Sequence, residues 1–180
     1  MKFKTSELTL IALFTALTAA LSQISITLPV SPVPFTLQLI AVFLSGAVGG
    51  KKVGTLSQIV YILLGVVGIP VFAGFRAGPS ALLGPAGGYI AAFPLAALVS
   101  GAMGKTQKAP SFFLRLCSMF AGLACIYFFG SIWLSLSQDI SILSALITGV
   151  AVFIPLDAVK IMFASYVSLK ITSHVRVHSG

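Results

Sequence analysis

Asp157 and Lys160 are the residues in this chain with the clearest chemical signal. They stand in a long apolar run, three positions apart, beside Pro155. On a helix, three residues turn through about 300°, so the two side chains share one face. If that helix lies in a membrane, each charge costs about 2.5–3.5 kcal/mol at the helix centre on insertion scales, so the face must meet protein or a cavity. Pro155 cannot donate to the carbonyl of Ala151 and is expected to kink the helix, leaving a backbone acceptor near two ionised groups. Two readings stand: a buried ion pair that fixes helix packing, or a ligand site. As a ligand site, Asp157 would accept from N–H groups and Lys160 would attract a carboxylate or a carbonyl oxygen. Arg76 could clamp an anionic group, while Phe35, Phe72, Phe75 and Tyr89 could supply apolar walls. That describes a small amphipathic molecule with N–H donors and an acid.

Other constellations carry less. Gly104-Lys105-Thr106 resembles the end of a phosphate-binding loop, but the upstream glycine position is Val99 and no strand precedes it. Lys105 reads better as a charged anchor at a membrane edge. His174 and His178 are four apart with no third ligand nearby, so no metal is expected. No nucleophile–base set is available to the two tail histidines, and Glu7, Asp139 and Asp157 do not form a hydrolytic carboxylate pair. No catalytic residues, cofactor or enzymatic activity is therefore expected. Cys117 and Cys125 lie in one apolar run and fit neither a disulfide framework nor a CxxC metal motif.

The elements that must position Asp157 and Lys160 follow from composition. The 180 residues are 58% apolar and only 8% charged, with a mean hydropathy of +1.09. Soluble domains carry roughly 25% charged residues, so a soluble enzyme and a disordered chain are both excluded. The apolar runs are continuous rather than alternating, which favours helices over a membrane β-barrel. The expectation is a single domain over 1–180, an all-α integral membrane protein with six transmembrane helices near 8–28, 35–50, 53–69, 81–103, 112–134 and 142–169. Glu7 and the length of the first run favour a span over a cleaved leader.

The formal charge of +8 would suggest nucleic acid in a soluble protein. Here it follows the loops instead, and no nucleic-acid partner is expected. With a cytoplasmic N-terminus and six spans, Lys2, Lys4, Lys51, Lys52, Lys105, Lys108, Arg115, Lys170 and Arg176 fall inside. Arg76 alone falls outside. This is a positive-inside pattern with both termini cytoplasmic.

Pro29, Pro32 and Pro34 make a stiff connector after the first run. Gly84-Pro85-Ala86-Gly87-Gly88-Tyr89 interrupts the fourth, either as a broken helix lining a cavity or as a tight loop. Ala12, Ala16 and Ala20 form a small-residue stripe on the first helix, suited to close approach of another helix within or outside the chain. Ser45, Gly46, Gly49 and Gly50 could do the same.

Five motifs in order resemble the BioY family, the biotin-specific S components of energy-coupling-factor (ECF) transporters. They are Thr5-Ser6-Glu7-Leu8-Thr9-Leu10-Ile11-Ala12-Leu13-Phe14, Pro32-Val33-Pro34-Phe35-Thr36-Leu37-Gln38, Gly68-Ile69-Pro70-Val71-Phe72-Ala73-Gly74, the Gly84–Tyr89 stretch, and Pro155-Leu156-Asp157-Ala158-Val159-Lys160. The resemblance covers nearly the whole chain. It implies a multi-pass protein of the cell membrane that captures biotin from outside. It implies biotin contacts at Asp157 and Lys160. Arg76, Gly74, Phe72, Tyr89, Gln38 and Phe35 are the remaining candidates for the site. It turns Ala12, Ala16 and Ala20 toward a transmembrane coupling subunit, with two ATPase subunits supplying the energy. The ureido ring of biotin offers two N–H donors and a carbonyl, and its apolar body ends in a carboxylate, which suits the site sketched above. The alternatives are a scaffold subunit of a membrane complex, or an S component for another small amphipathic vitamin.

Overall fold

A computed structural model describes residues 4–102 and 111–177. Lys2, Gly104-Lys105-Thr106, Lys108 and His178 lie outside the described residues, as do the side chains of His174 and Arg176. The described chain is nearly all helical. Helix α1 (Thr5–Gln23) leads into a short antiparallel pair, β1 (Ser25–Ile26) with β2 (Phe35–Thr36), in the register Ser25 opposite Thr36. The pair closes the proline-rich connector into a flap, so the first helix ends at Gln23 rather than near residue 28.

The next helical stretch, α2 (Gln38–Val66), is a hairpin. Gly50 has φ +77°, a conformation open to glycine at little cost. The side-chain amide of Gln58 donates to Ser45 Oγ at 3.3 Å. Thirteen residues of straight helix would separate these groups by about 20 Å, so the chain must turn back between them. Gly46 and Gly54 make the turn possible, because a Cβ on Gly54 would lie 2.7 Å from the Cα of Gly46. The arms are therefore 38–49 and 51–66, close to the two runs expected on either side of Lys51-Lys52.

The fourth run is broken into α3 (Pro79–Leu83), α4 (Gly87–Ala91) and α5 (Phe93–Ala102). The glycines at its start serve close packing: a Cβ on Gly88 would come within 2.7 Å of the Phe129 carbonyl oxygen on α6 (Phe112–Gln138) and would also strike Trp133. Trp133 Nε1 donates to the Gly84 carbonyl at 2.9 Å, pinning this broken stretch to α6.

The last run is also broken. Helix α7 (Ile142–Leu146) widens into one π-helical turn, Ile147–Ala151, and the chain then bends by 46° into α8 (Ile154–Val177). Pro155 is the second residue of α8, where its missing N–H costs nothing. The bend expected from Pro155 thus falls just before it, at Val152 and Phe153.

By length and apolarity, three described helices are able to cross a membrane, or four with the bent pair counted as one. One of the three is the α2 hairpin. Buried polar groups tie the pieces together. Gln58 is fully buried and also donates to Thr18 Oγ1 of α1 at 3.2 Å, and Thr15 Oγ1 donates to the Ser57 carbonyl at 3.0 Å. At one end, Lys52 pairs with Glu7 at 2.9 Å. Arg115 lies in the first turn of α6, within the run expected at 112–134. It is 3% exposed and donates to the Ala47 carbonyl and to Thr172 Oγ1. A cation there suits the C-terminal end of the first α2 arm, where carbonyls lack helical partners.

Candidate functional site

Beside the Asp157–Lys160 pair lies a cavity with an empty volume of ≈ 410 Å³, part of it open. Most passes of the chain contribute to its wall. Val33 to Thr36 come from the flap, Gln38 and Leu39 from the first α2 arm, Tyr89 from α4 and Phe93 from α5. Ile126 and Tyr127 come from α6, Gly149 from the π turn and Phe153 from the bend, with Asp157 and Lys160 on α8.

The chemistry is concentrated on the first two turns of α8. Asp157 is 3% exposed and Lys160 5%. Lys160 Nζ donates to Asp157 Oδ1 at 2.7 Å, and the Tyr127 hydroxyl donates to Asp157 Oδ2 at 2.8 Å. Both carboxylate oxygens are therefore engaged, yet each keeps capacity for a further donor. The position of Asp157 in the first turn of α8 also places negative charge where the helix dipole favours it. Lys160 Nζ lies 3.8 Å from the centroid of the Phe35 ring.

Two further polar groups face the cavity. The Tyr89 hydroxyl donates to the Gly149 carbonyl at 3.0 Å, an acceptor within the π turn. Gln38 Oε1 lies 3.2 Å from the buried Tyr61 hydroxyl, which is also 3.2 Å from the Val71 carbonyl. The rest of the wall is apolar. A mostly apolar pocket with a few convergent polar groups is the usual form of a small-molecule site.

Of the candidates read from sequence, the structure brings Phe35, Gln38, Tyr89, Asp157 and Lys160 to this one cavity. Phe72, Gly74 and Arg76 do not line it. Phe72 is buried edge-on against Tyr61, with ring centroids 5.6 Å apart. Gly74 sits in a 3₁₀ turn, Ala73–Phe75. That loop is tied to the end of α1 by Gln23, whose amide donates to the Val71 and Phe72 carbonyls and accepts from the Phe75 N–H. Arg76 is exposed and borders a separate open cavity with Ala77, Ser80, Ala81 and Gly84. Phe75 is 70% exposed and supplies no wall. Tyr127 is the contact that sequence reasoning missed: nothing in its apolar run marks it. Ala12, Ala16 and Ala20 are all exposed on the outer face of α1.

The chain is similar in sequence and in fold to known proteins. A probable biotin transporter BioY of Pyrococcus horikoshii is 44% identical over 157 residues, covering 87% of this chain and 90% of that protein. The biotin transporter BioY of Thermotoga maritima is 43% identical over 159 residues, covering 88% and 91%. The crystal structure of the S-component for biotin from an ECF-type ABC transporter superposes with a TM-score of 0.88 at 29% identity, covering 96% of this chain and 95% of that one. The BioY family description itself matches residues 1–177. On sequence and on fold alike, this chain belongs to the BioY family.

Proposed function

We propose that this protein is the substrate-binding subunit of a biotin uptake transporter and that biotin occupies the cavity beside Asp157 and Lys160. The observation that carries the reading is the Tyr127–Asp157–Lys160 cluster, buried on one side of an apolar cavity. Asp157 accepts from a ureido N–H, or Lys160 meets a carbonyl or carboxylate oxygen, while Phe93, Ile126 and Phe153 cover the apolar body. Asp157 and Lys160 offset each other's charge, and Tyr127 and Lys160 hold the carboxylate in place, which lowers the cost of ordering the site on binding.

The chain crosses the cell membrane six times in this proposal: α1, the two arms of α2, the α3–α5 stretch, α6, and α7 with α8. Its basic end is cytoplasmic. Lys52 contacts the start of α1, and Arg115 joins the start of α6 to the hairpin turn and to Thr172 near the end of α8. Lys4, Lys51 and Lys170 are sequence neighbours of these contacts, while Arg76 lies in the loop bonded to the far end of α1. That asymmetry is the positive-inside pattern. In a version without Cys117 and Cys125, an impermeant thiol reagent applied outside intact cells labels a cysteine at position 76 and leaves one at position 4 unlabelled. The reverse pattern would invert the orientation.

Energy for uptake comes from an ECF transmembrane coupling subunit and two ATPase subunits, a reading supported by the likeness to the S-component of an ECF-type ABC transporter. The exposed alanine stripe of α1 is the contact for the coupling subunit, since small side chains let another backbone approach closely. The test uses cells without other biotin uptake, supplied with this chain and energising subunits. They accumulate radiolabelled biotin, and Ala16→Trp lowers that accumulation more than tenfold while the purified variant still binds biotin. Absence of accumulation with the unaltered chain contradicts the transport reading. Loss of binding by Ala16→Trp makes the stripe an internal packing surface.

A further inference from the structure

The flap meets the ion pair where the Phe35 ring covers Lys160. Lys160 Nζ sits 3.8 Å from the centroid of the Phe35 ring, within the distance at which an ammonium is attracted by the negative face of an aromatic ring. An ammonium has three N–H donors. One goes to Asp157 Oδ1 and one side of the group is covered by the ring, so the remaining direction is free for the cavity. Phe35 is also the residue of β2 that pairs with Ile26, and Val33, Pro34 and Thr36 beside it form the cavity wall. The flap hangs from the bundle by few backbone bonds: the two-residue ladder and Leu37 N–H to the Ile24 carbonyl at 3.3 Å. A strand pair this short is not stable alone, so side-chain contacts must hold it closed.

We propose that Phe35 is the retention residue of the site: its ring docks on the Lys160 ammonium, and that contact sets how slowly a bound molecule leaves. The same ammonium faces both the ligand and the flap, so occupancy and closure share one charge. Asp157 supports the contact by orienting Lys160, and its pairing leaves the ring to face a fixed cation. An exposed ammonium on a flexible stem would serve poorly, whereas Lys160 is 5% exposed and held by a 2.7 Å bond.

This inference rests on biotin being the cargo, and its test separates the two claims. Phe35 is replaced by phenylalanines carrying one, two, three and five ring fluorines. These keep the shape and apolar character of the ring while progressively draining its negative face. The dissociation rate of biotin, measured by chasing labelled biotin with an excess of unlabelled, is expected to rise stepwise with fluorine count, by between about twofold and thirtyfold across the series. The association rate should change less than about threefold. A flat dissociation rate across the series overturns the proposal, even if Phe35→Ala releases biotin faster, because the ring would then act as apolar bulk alone. If the unaltered protein binds no biotin, the cargo reading fails, and the contact is still tested without ligand. Amide exchange over residues 35–37 should accelerate with fluorine count, and equal exchange across the series overturns it.

Discussion

Asp157→Asn and Lys160→Met should each weaken biotin binding by about 1.5–3 kcal/mol, the worth of a hydrogen bond to a charged group. That is about ten- to more than a hundredfold in Kd. The double variant should bind more weakly than either single one, and all three proteins should remain folded without ligand. The opposite pattern belongs to a pair that only fixes packing. Breaking one partner of a buried pair then costs about 3–5 kcal/mol of stability, and removing both restores much of it. The geometry separates the partners further. Tyr127 and Lys160 each donate to a different oxygen of Asp157, so Asp157→Asn leaves one carbonyl oxygen to accept, turns the other acceptor into a donor, and leaves the Lys160 ammonium without its counter-charge. Lys160→Met strands one carboxylate oxygen but leaves Tyr127 in place. Binding in detergent and thermal unfolding, measured on the same samples, distinguish the two patterns.

The second large effect lies away from the cavity. Gly54→Leu should abolish recovery of folded protein, because the added side chain would meet the backbone of Gly46 rather than a movable side chain. Gly46 cannot retreat, since it is itself pressed against α5, where a Cβ on it would come 3.0 Å from Gly101 N. Gly101 in turn sits against the hairpin turn, with Lys51 N at 2.7 Å from its Cβ position. Three backbones therefore cross at glycine, and overpacking of this kind exceeds the usual 1–3 kcal/mol. Gly84→Ala is the contrast. Its Cβ would find its nearest neighbour at 3.5 Å, an ordinary contact, so stability should change by about 0.5 kcal/mol or less. Size-exclusion chromatography of the two variants checks both, and a monodisperse Gly54→Leu protein would contradict the hairpin crossing.

How much was legible in the sequence follows from the physics of each feature. Long apolar runs mark helices because the backbone must satisfy itself away from water, yet they do not fix where a helix ends: α1 stops at Gln23, five residues before its apolar run does. The flap was not legible, because two-residue strands leave no period to detect. The breaks in the fourth and last runs were marked by Gly and Pro, but the π turn was not, since Ile147–Ala151 reads as ordinary helix. Among the site residues, Asp157 and Lys160 announce themselves through the cost of a charge in an apolar run. Tyr127 carries no such cost, and its bond to Asp157 spans thirty residues of chain. Arg76 shows the converse: a lone cation between apolar runs suggested a clamp, yet the turn that follows Gly74 leaves it exposed beside a different cavity. Phe72 was apolar and near the right motif, but Tyr61 and Gly65 draw it into the core.

The central claim is that biotin binds this chain itself, without any partner. The most direct measurement is thermal unfolding of the purified protein in detergent across a biotin titration, with Trp133 fluorescence as a second signal. Trp133 bonds to Gly84 in the broken stretch that carries Tyr89 to the cavity wall. Biotin at a hundredfold excess over Kd should stabilise the folded state by about 2.7 kcal/mol. An unchanged unfolding curve at saturating biotin, from protein whose circular dichroism shows intact helices, would contradict the account.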